Sequence, residues 1–242
     1  MSETFFIADL HLNPKHPIPF SQLLKFLQNR AQQADALYIL GDLFEVYLGD
    51  DEDQQALKAL NDLTNNGVPV FIMHGNRDFL LSQAAIKNCK LLDDDAYVID
   101  LYGVPTLIMH GDTLCTLDVK YQAFRKQVRN PQWQAQFLAQ PLAQRQLIAQ
   151  QARSESQATT KTTAEFIMDV TPEAVISSLD KYNVYQLIHG HTHRPAIHNI
   201  TVNGHDATRY VLGDWREDSA MILHCTANGN NLIDLYDLNS IN

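Results

Sequence analysis

Five times along this chain an apolar, β-prone run stops at a short polar cluster. Residues 4–8 run into Asp9-Leu10-His11, and 36–40 run into Gly41-Asp42. Residues 68–73, after His74, lead to Gly75-Asn76-Arg77-Asp78. Residues 104–109 run into His110-Gly111-Asp112, and 185–188, after His189, lead to Gly190-His191-Thr192-His193. Short apolar runs bounded by such residues read as strands. The polar clusters then all emerge at the carboxyl ends of strands, the edge where open α/β sheets bind ligands. Helical patterns alternate with the runs. Around 21–33, Leu23, Leu24, Phe26 and Leu27 share one side. Around 54–65, Ala56, Leu57, Leu60 and Leu63 do the same, and Gly67 stands ready as a C-cap. Thr171-Pro172 reads as an N-cap and N1 proline for a helix to about Lys181. The last third turns to strands, at 209–212, 220–224 and 232–236. The pattern predicts α/β architecture with mixed strands and one helical insertion.

The clusters offer carboxylates, an amide and imidazoles, and no thiolate. That donor set suits Mn²⁺ or a similar borderline ion better than a structural zinc. In an extended segment residues i and i+2 point the same way, so Asp9 with His11, and His191 with His193, are each expected to reach one ion. Asp42 can bridge two cations, and Asn76 can offer a neutral oxygen. Any single cluster could equally be a helix cap or a packed histidine. Five in this order, each after a strand, point to one centre.

The length of 242 residues fits a single domain over 1–242. Cys89, Cys115 and Cys225 are odd in number and widely spaced, which favours a reducing compartment over a disulfide scaffold. The first residues show no signal-peptide pattern, and no apolar run approaches a membrane span. The net charge is −10, yet one stretch opposes it. Lys120, Arg125, Lys126, Arg129, Arg145, Arg153 and Lys161 face a single acid there, Glu155. The same stretch holds Phe124, Val128, Trp133, Phe137, Leu138, Leu142, Leu147 and Ile148, with Pro131 and Pro141 dividing it into helix lengths. A solvated basic face would explain the charge alone. The apolar content predicts a helical cap at about 120–165, with an interior for acyl chains and a basic rim for anionic head groups. Nucleic acid fits less well and is not expected as a partner, because the acidic remainder would repel a polyanion and no aromatic stacking platform is evident.

In this order Asp-x-His, Gly-Asp, Gly-Asn, His-Gly-Asp and Gly-His-Thr-His resemble the calcineurin-like metallophosphoesterase superfamily. The longer strings Phe6–Leu12, Gly41-Asp42-Leu43-Phe44-Glu45, Gly49-Asp50-Asp51, His74–Leu80, His110–Thr116 and Ile188–Pro195 resemble its lipid A pathway branch, the diphosphatases acting on UDP-2,3-diacylglucosamine. The resemblance spans nearly the whole chain and is weakest after about Asn199. It implies a four-layer α/β/β/α sandwich with the cap between His110 and His191. It implies two Mn²⁺ ions, one held by Asp9, His11, Asp42 and His193, the other by Asp42, Asn76, His110 and His191. Two such ions about 4 Å apart make bound water acidic enough to attack phosphorus. Catalytic roles are implied for Asp42, Asn76, Arg77 and His110. Substrate contacts are implied for Asn76, Arg77, Asp118, Ser156, Thr160, Lys161, Thr163 and His191. The family places Ser, Asn and Lys on the helical face occupied here by Ser156, Thr160 and Thr163, with Lys161 shifted, a departure from its pattern.

Arg77 stands where many members of the superfamily carry His or Glu. An arginine gives up no proton near neutral pH but grips phosphate bidentately. That suits a diphosphate, whose leaving group is already good. The implied reaction is water attack on the α-phosphorus, giving UMP and 2,3-diacylglucosamine 1-phosphate. The implied setting is peripheral, on the cytoplasmic face of the anionic inner membrane, with no obligate protein partner. A soluble nucleotide diphosphatase and a non-catalytic metal scaffold are the competing readings. The apolar cap argues against the first and the full set of seven ligand positions against the second.

Overall fold

The computed structural model describes residues 2–51, 55–160 and 166–238, without the side chains of 157–160 and 237–238. Two sheets are built from eleven strands among these residues. The first has six strands, starting from β1 (Thr4–Ile7), β2 (Ala36–Leu40), β3 (Val70–Met73) and β4 (Lys90–Leu92), which run parallel. The second starts from the hairpin of β5 (Ala96–Leu101) and β6 (Val104–Met109), followed by β7 (Gln186–His189), β8 (Ala196–Val202) and β9 (His205–Val211). Within it β6, β7 and β9 run parallel and β8 closes antiparallel on β9. The last strands return to the first sheet: β10 (Met221–Thr226) pairs antiparallel with β1, and β11 (Gly229–Asp234) antiparallel with β10.

Strand alternation builds the layers. Phe5, Ile7, Leu37, Ile39, Val70 and Ile72 face outward, where helices α1 (Ile18–Gln28) and α2 (Gln55–Asn65) and the short α3 (Gln83–Ile86) cover them. Their neighbours Phe6, Ala8, Leu40 and Met73 face inward and meet Ile108, Ile188 and Leu212 of the second sheet. Phe6, Tyr38 and Phe71 stack across three adjacent strands, with centroids 4.8 and 4.6 Å apart. Behind the second sheet, Leu107 and Leu187 bury against Val175 and Leu179 of helix α7 (Pro172–Tyr182). The order is therefore helix, sheet, sheet, helix, as expected. Burying one Phe or Ile contributes about 1.5–3 kcal/mol.

Local expectations hold with adjustments. Leu24 is only half-buried on α1, and the helix stops at Gln28 with a separate 3-10 turn at Ala31–Gln33. Thr171 precedes α7 in extended conformation but makes no side-chain cap. Its hydroxyl instead meets that of Thr116 at 2.8 Å.

Between β6 and β7 lie three further helices, α4 (Val119–Val128), α5 (Pro131–Leu138) and α6 (Leu142–Thr160). Asn130 caps α5 by accepting from the N–H groups of Gln132 and Trp133, with Pro131 at N1. The cap residues are placed differently from the expectation of an apolar chamber. Phe137 is buried, and Trp133, Leu142 and Ile148 pack against the outer core, with Trp133 stacked on Phe137 at 5.0 Å. These side chains seat the cap. Four of its arginines turn inward as well, toward the acidic body. Arg145 is buried and pairs with Asp51 and the Leu48 carbonyl. Arg125 pairs with Asp112 and Asp95, Arg129 donates to the Gly75 carbonyl, and Arg153 pairs with Glu45. Lys120 and Lys126 remain exposed, as do Leu117, Val119, Phe124 and Leu147.

Candidate metal centre

The loops after β1, β2, β3, β6 and β7 converge at one end of the sandwich. Backbone bonds stitch them. The Asp9 N–H donates to Gly41 O at 3.1 Å, His11 N–H to Asp42 O at 3.0 Å, and Gly190 N–H to His110 O at 2.8 Å. Asp78 is fully buried and ties two loops, accepting from Gly75 N–H and Leu43 N–H, both at 2.7 Å. Two glycines allow the approach. A Cβ on Gly75 would lie 2.1 Å from Asp42 Oδ1, and one on Gly190 would lie 2.5 Å from Asp9 Oδ2.

The candidate ligand pairs are not extended, which corrects the sequence argument. Asp9, His11, Asp42, His191 and His193 all have positive φ, between 48° and 71°. An extended pair would point along one direction of the strand. Left-handed residues instead curl the chain around a point, so donors from successive positions converge. Such backbone is costly for non-glycine residues and gathers at functional sites.

The side chains meet as two groups. His11 Nε2 and His193 Nε2 lie 3.1 Å apart, and His193 Nε2 lies 3.5 Å from Asp9 Oδ1. Potential ligand atoms of Asp9, His11 and His193 lie within 4.8 Å of one another, as do those of Asp9, Asp42 and His110. Asn76 Oδ1 stands 3.0 Å from His110 Nε2 and 2.9 Å from His191 Nδ1. His110 Nδ1–H donates to the Leu40 carbonyl at 2.8 Å, which leaves Nε2 as the nitrogen that faces Asn76 Oδ1.

The electrostatics ask for positive charge at this point. Burial pushes the Asp42 carboxyl up to about 7; His110 pulls it down, while nearby Asp78 and Asp9 add to the rise. Burial also pushes Asp9 up, but His193 beside it and the surrounding histidines hold it at about 2. Burial lowers His11 to about 3 and His191 to about 4, so both are neutral and free to ligate. Asp9 Oδ1 and His11 Nδ1 are buried without a hydrogen-bond partner. Orphaned donors and acceptors around converging lone pairs fit divalent cations.

Arg77 stands beside the group, its Nε 3.6 Å from Asp42 Oδ2 and its Nη1 3.4 Å from Glu45 Oε1. Cys115 is buried, and burial, with Asp112, Asp169 and Asp118 nearby, pushes its thiol up to about 12, so it is no nucleophile. His189 is buried, and its Nδ1–H donates to Gly190 O at 2.8 Å, a structural role. Asp118 caps α4, accepting from Tyr121 N–H at 3.0 Å. Ser156 is exposed on α6, while the Thr160 side chain, Lys161 and Thr163 lie outside the described residues.

Sequence reasoning missed the outer partners. Glu45 lies 3.4 Å from His11 Nδ1 and Asp214 lies 3.6 Å from His193 Nδ1. Asp112 is buried and takes the Tyr121 hydroxyl at 2.5 Å and Arg125 Nε at 2.7 Å, holding α4 against the His110 loop. Glu45, Asp78 and Asp112 were visible inside the motif strings; Asp214 carried no such signal.

The calcineurin-like phosphoesterase family model matches residues 4–195. The chain belongs to that family. Such phosphoesterases bind divalent metal, and the donors gathered here are in keeping with that. Similar proteins carry a narrower name. The UDP-2,3-diacylglucosamine hydrolase of Marinobacter nauticus is 49% identical over 220 residues, covering 89% of this chain and 90% of that protein. The hydrolase of that name from Cellvibrio japonicus is 51% identical over 217 residues, covering 88% and 90%. The one from Xanthomonas axonopodis pv. citri is 49% identical over 245 residues, covering 96% and 98%. The matches span most of this phosphoesterase, 88–96% of its length.

Proposed function

We propose that this phosphoesterase hydrolyses the diphosphate bond of UDP-2,3-diacylglucosamine, releasing UMP and 2,3-diacylglucosamine 1-phosphate in lipid A biosynthesis. The observation that carries the reading is the convergence of seven donors beside one arginine, in a chain half identical to hydrolases of that name. Asp9, His11, Asp42 and His193 hold one ion, and Asp42, Asn76, His110 and His191 the other. We take both to be Mn²⁺, from the donor set. When bound, the pair supplies an acidified water and neutralises charge on the phosphoryl oxygens.

The remaining work falls to this chain's own side chains. Arg77 grips the diphosphate through its fork, since its Nε has no hydrogen-bond partner and its head is partly open. It lends charge to the departing phosphate without giving up a proton. Asn76 and His191 contact the phosphoryl group as well. Asp118, Ser156, Thr160, Lys161 and Thr163 belong to the sugar and lipid side of the substrate. The crevice beside Asn76, lined by Phe79, Tyr121, Phe124 and Val128, holds about 10 Å³, room for about one water.

No helix among the described residues is long and apolar enough to cross a membrane. Contact with the anionic cytoplasmic face of the inner membrane rests instead on exposed Lys120, Lys126, Val119, Phe124 and Leu147. The test is UMP release from synthetic diacylated UDP-glucosamine with Mn²⁺, set against UDP-glucosamine itself. Strong preference for the acylated substrate is expected. Equal efficiency on both would leave a metal-dependent diphosphatase without a lipid role.

A further inference from the structure

We infer that Glu45 is a positioning residue for His11, and that the ion pair Glu45 shares with Arg153 ties the cap to one half of the metal centre. The inference rests on the two-metal reading above and deepens it. The parallel pairing of β1 and β2 continues past both strands. Leu12 N–H donates to Leu43 O at 2.9 Å, Glu45 N–H donates to Leu12 O at 3.1 Å, and Leu12 bridges Phe44. This register lays Glu45 alongside His11. Its Oε2 lies 3.4 Å from His11 Nδ1, with both side chains largely buried. His11 Nδ1 is itself buried without a hydrogen-bond partner, while Nε2 faces inward to His193. The outer nitrogen of a ligand imidazole thus waits a few tenths of an ångström beyond bonding distance of a carboxylate. A carboxylate on that nitrogen orients the ring and raises its basicity.

The carboxylate is contested. Its Oε1 takes Arg77 Nη1 at 3.4 Å and also Arg153, which comes down from α6. Two guanidinium groups draw Glu45 away from His11. Both prefer a phosphate, which they can grip bidentately. A diphosphate that engages Arg77 and Arg153 frees Glu45 to take the His11 Nδ1–H. Substrate and the first ion then bind with positive coupling, which is reciprocal by linkage. The second half of the centre lacks this device. His110 Nδ1–H is held by the Leu40 carbonyl, buried and without a charged competitor.

The test uses Mn²⁺ alone. Metal-free protein is titrated with Mn²⁺ while free ion is followed by EPR, and thermal unfolding checks the fold. Wild type is expected to bind two ions. Glu45→Gln should weaken one ion about tenfold or more and leave the other unchanged. Glu45→Asp should fall between the two. Arg153→Ala should keep both ions, the weaker one held as tightly as in wild type or more so. The double variant Glu45→Gln/Arg153→Ala should match Glu45→Gln, because Arg153 acts through Glu45. Two wild-type affinities in Glu45→Gln would overturn the inference, as would an Arg153→Ala variant that weakens the same ion as much. Wild-type protein that takes up no Mn²⁺ would overturn the two-metal reading itself.

Discussion

The strand-end loops and the helical cap are joined to the same sandwich by different physics. The loops are held by backbone. Main-chain bonds link Asp9 to Gly41, His11 to Asp42 and His110 to Gly190, and Asp78 locks the turn at Gly75. Five proposed ligands sit in left-handed backbone that only such over-determination can sustain. The cap is held largely by long side chains. Arg125 of α4, Arg129 at its C-cap, and Arg145 and Arg153 of α6 reach Asp112, Gly75 O, Asp51 and Glu45. A backbone-stitched centre is preorganised before any ligand arrives. A cap held by guanidinium groups can change partners, which suits a region that must admit a large acylated substrate.

Each variant below can break or sharpen that contrast. The largest effect is expected from Asp42→Asn, because one neutral amide cannot balance two cations. Turnover should fall by about three orders of magnitude or more, about 4 kcal/mol of barrier. The fold should survive. Asp42 is raised by burial to about 7, so its folded-state pKa lies above the unfolded value of 3.8. Ionising it therefore costs the metal-free protein stability that is intact below about pH 4 and is lost as pH rises toward 7. Metal-free Asp42→Asn should consequently melt higher than metal-free wild type at pH 8, with the gain vanishing near pH 4. A lower melting temperature at pH 8 would mean that the backbone stitching depends on this carboxylate.

Arg77→Ala should come next, losing about 2–4 kcal/mol of transition-state stabilisation in kcat/KM, with Arg77→Lys recovering part. A fully active Arg77→His on a diphosphate would remove the clamp. Arg145→Met tests the cap's anchorage. It leaves the Leu48 and Gln140 carbonyls without their donor, and denaturant titration should show a loss of about 1–3 kcal/mol. Metal affinity should not change; if it does, cap and loops are not separately built. The smallest effect is expected from Phe124→Asp or Leu147→Asp, exposed on the cap. These should raise KM for a long-chain substrate several-fold and leave UDP-glucosamine untouched. Phe137 and Leu142 are unsuitable for that test because they pack on the outer core.

What could be read in the sequence follows the same division. The five clusters and the strands before them were readable because each is local: β2 spans Ala36–Leu40 and β6 spans Val104–Met109, just where the apolar runs predict. The direction of the donors was not, since Asp9 and His191 adopt left-handed backbone, uncommon outside glycine and announced by no local pattern. Strand β8 was missed because Ala196–Val202 is half-exposed and gains its strand character by pairing with β9. The cap's basic residues read as a rim for lipid. Their acidic partners lie far away in sequence, as Arg145 and Asp51 do, and no local pattern announces such pairs. Glu45 shows the limit most clearly. It lies within a readable string, yet its contacts to His11, Arg77 and Arg153 exist only in the fold.

The most direct test of the account is where water oxygen goes. Diacylated UDP-glucosamine is turned over once by excess Mn²⁺-loaded enzyme in ¹⁸O water, and both products are analysed by mass. The account predicts one ¹⁸O in UMP and none in the lipid-sugar phosphate, because metal-bearing loops and Arg77 direct water at the α-phosphorus. Label in the lipid-sugar phosphate would contradict it.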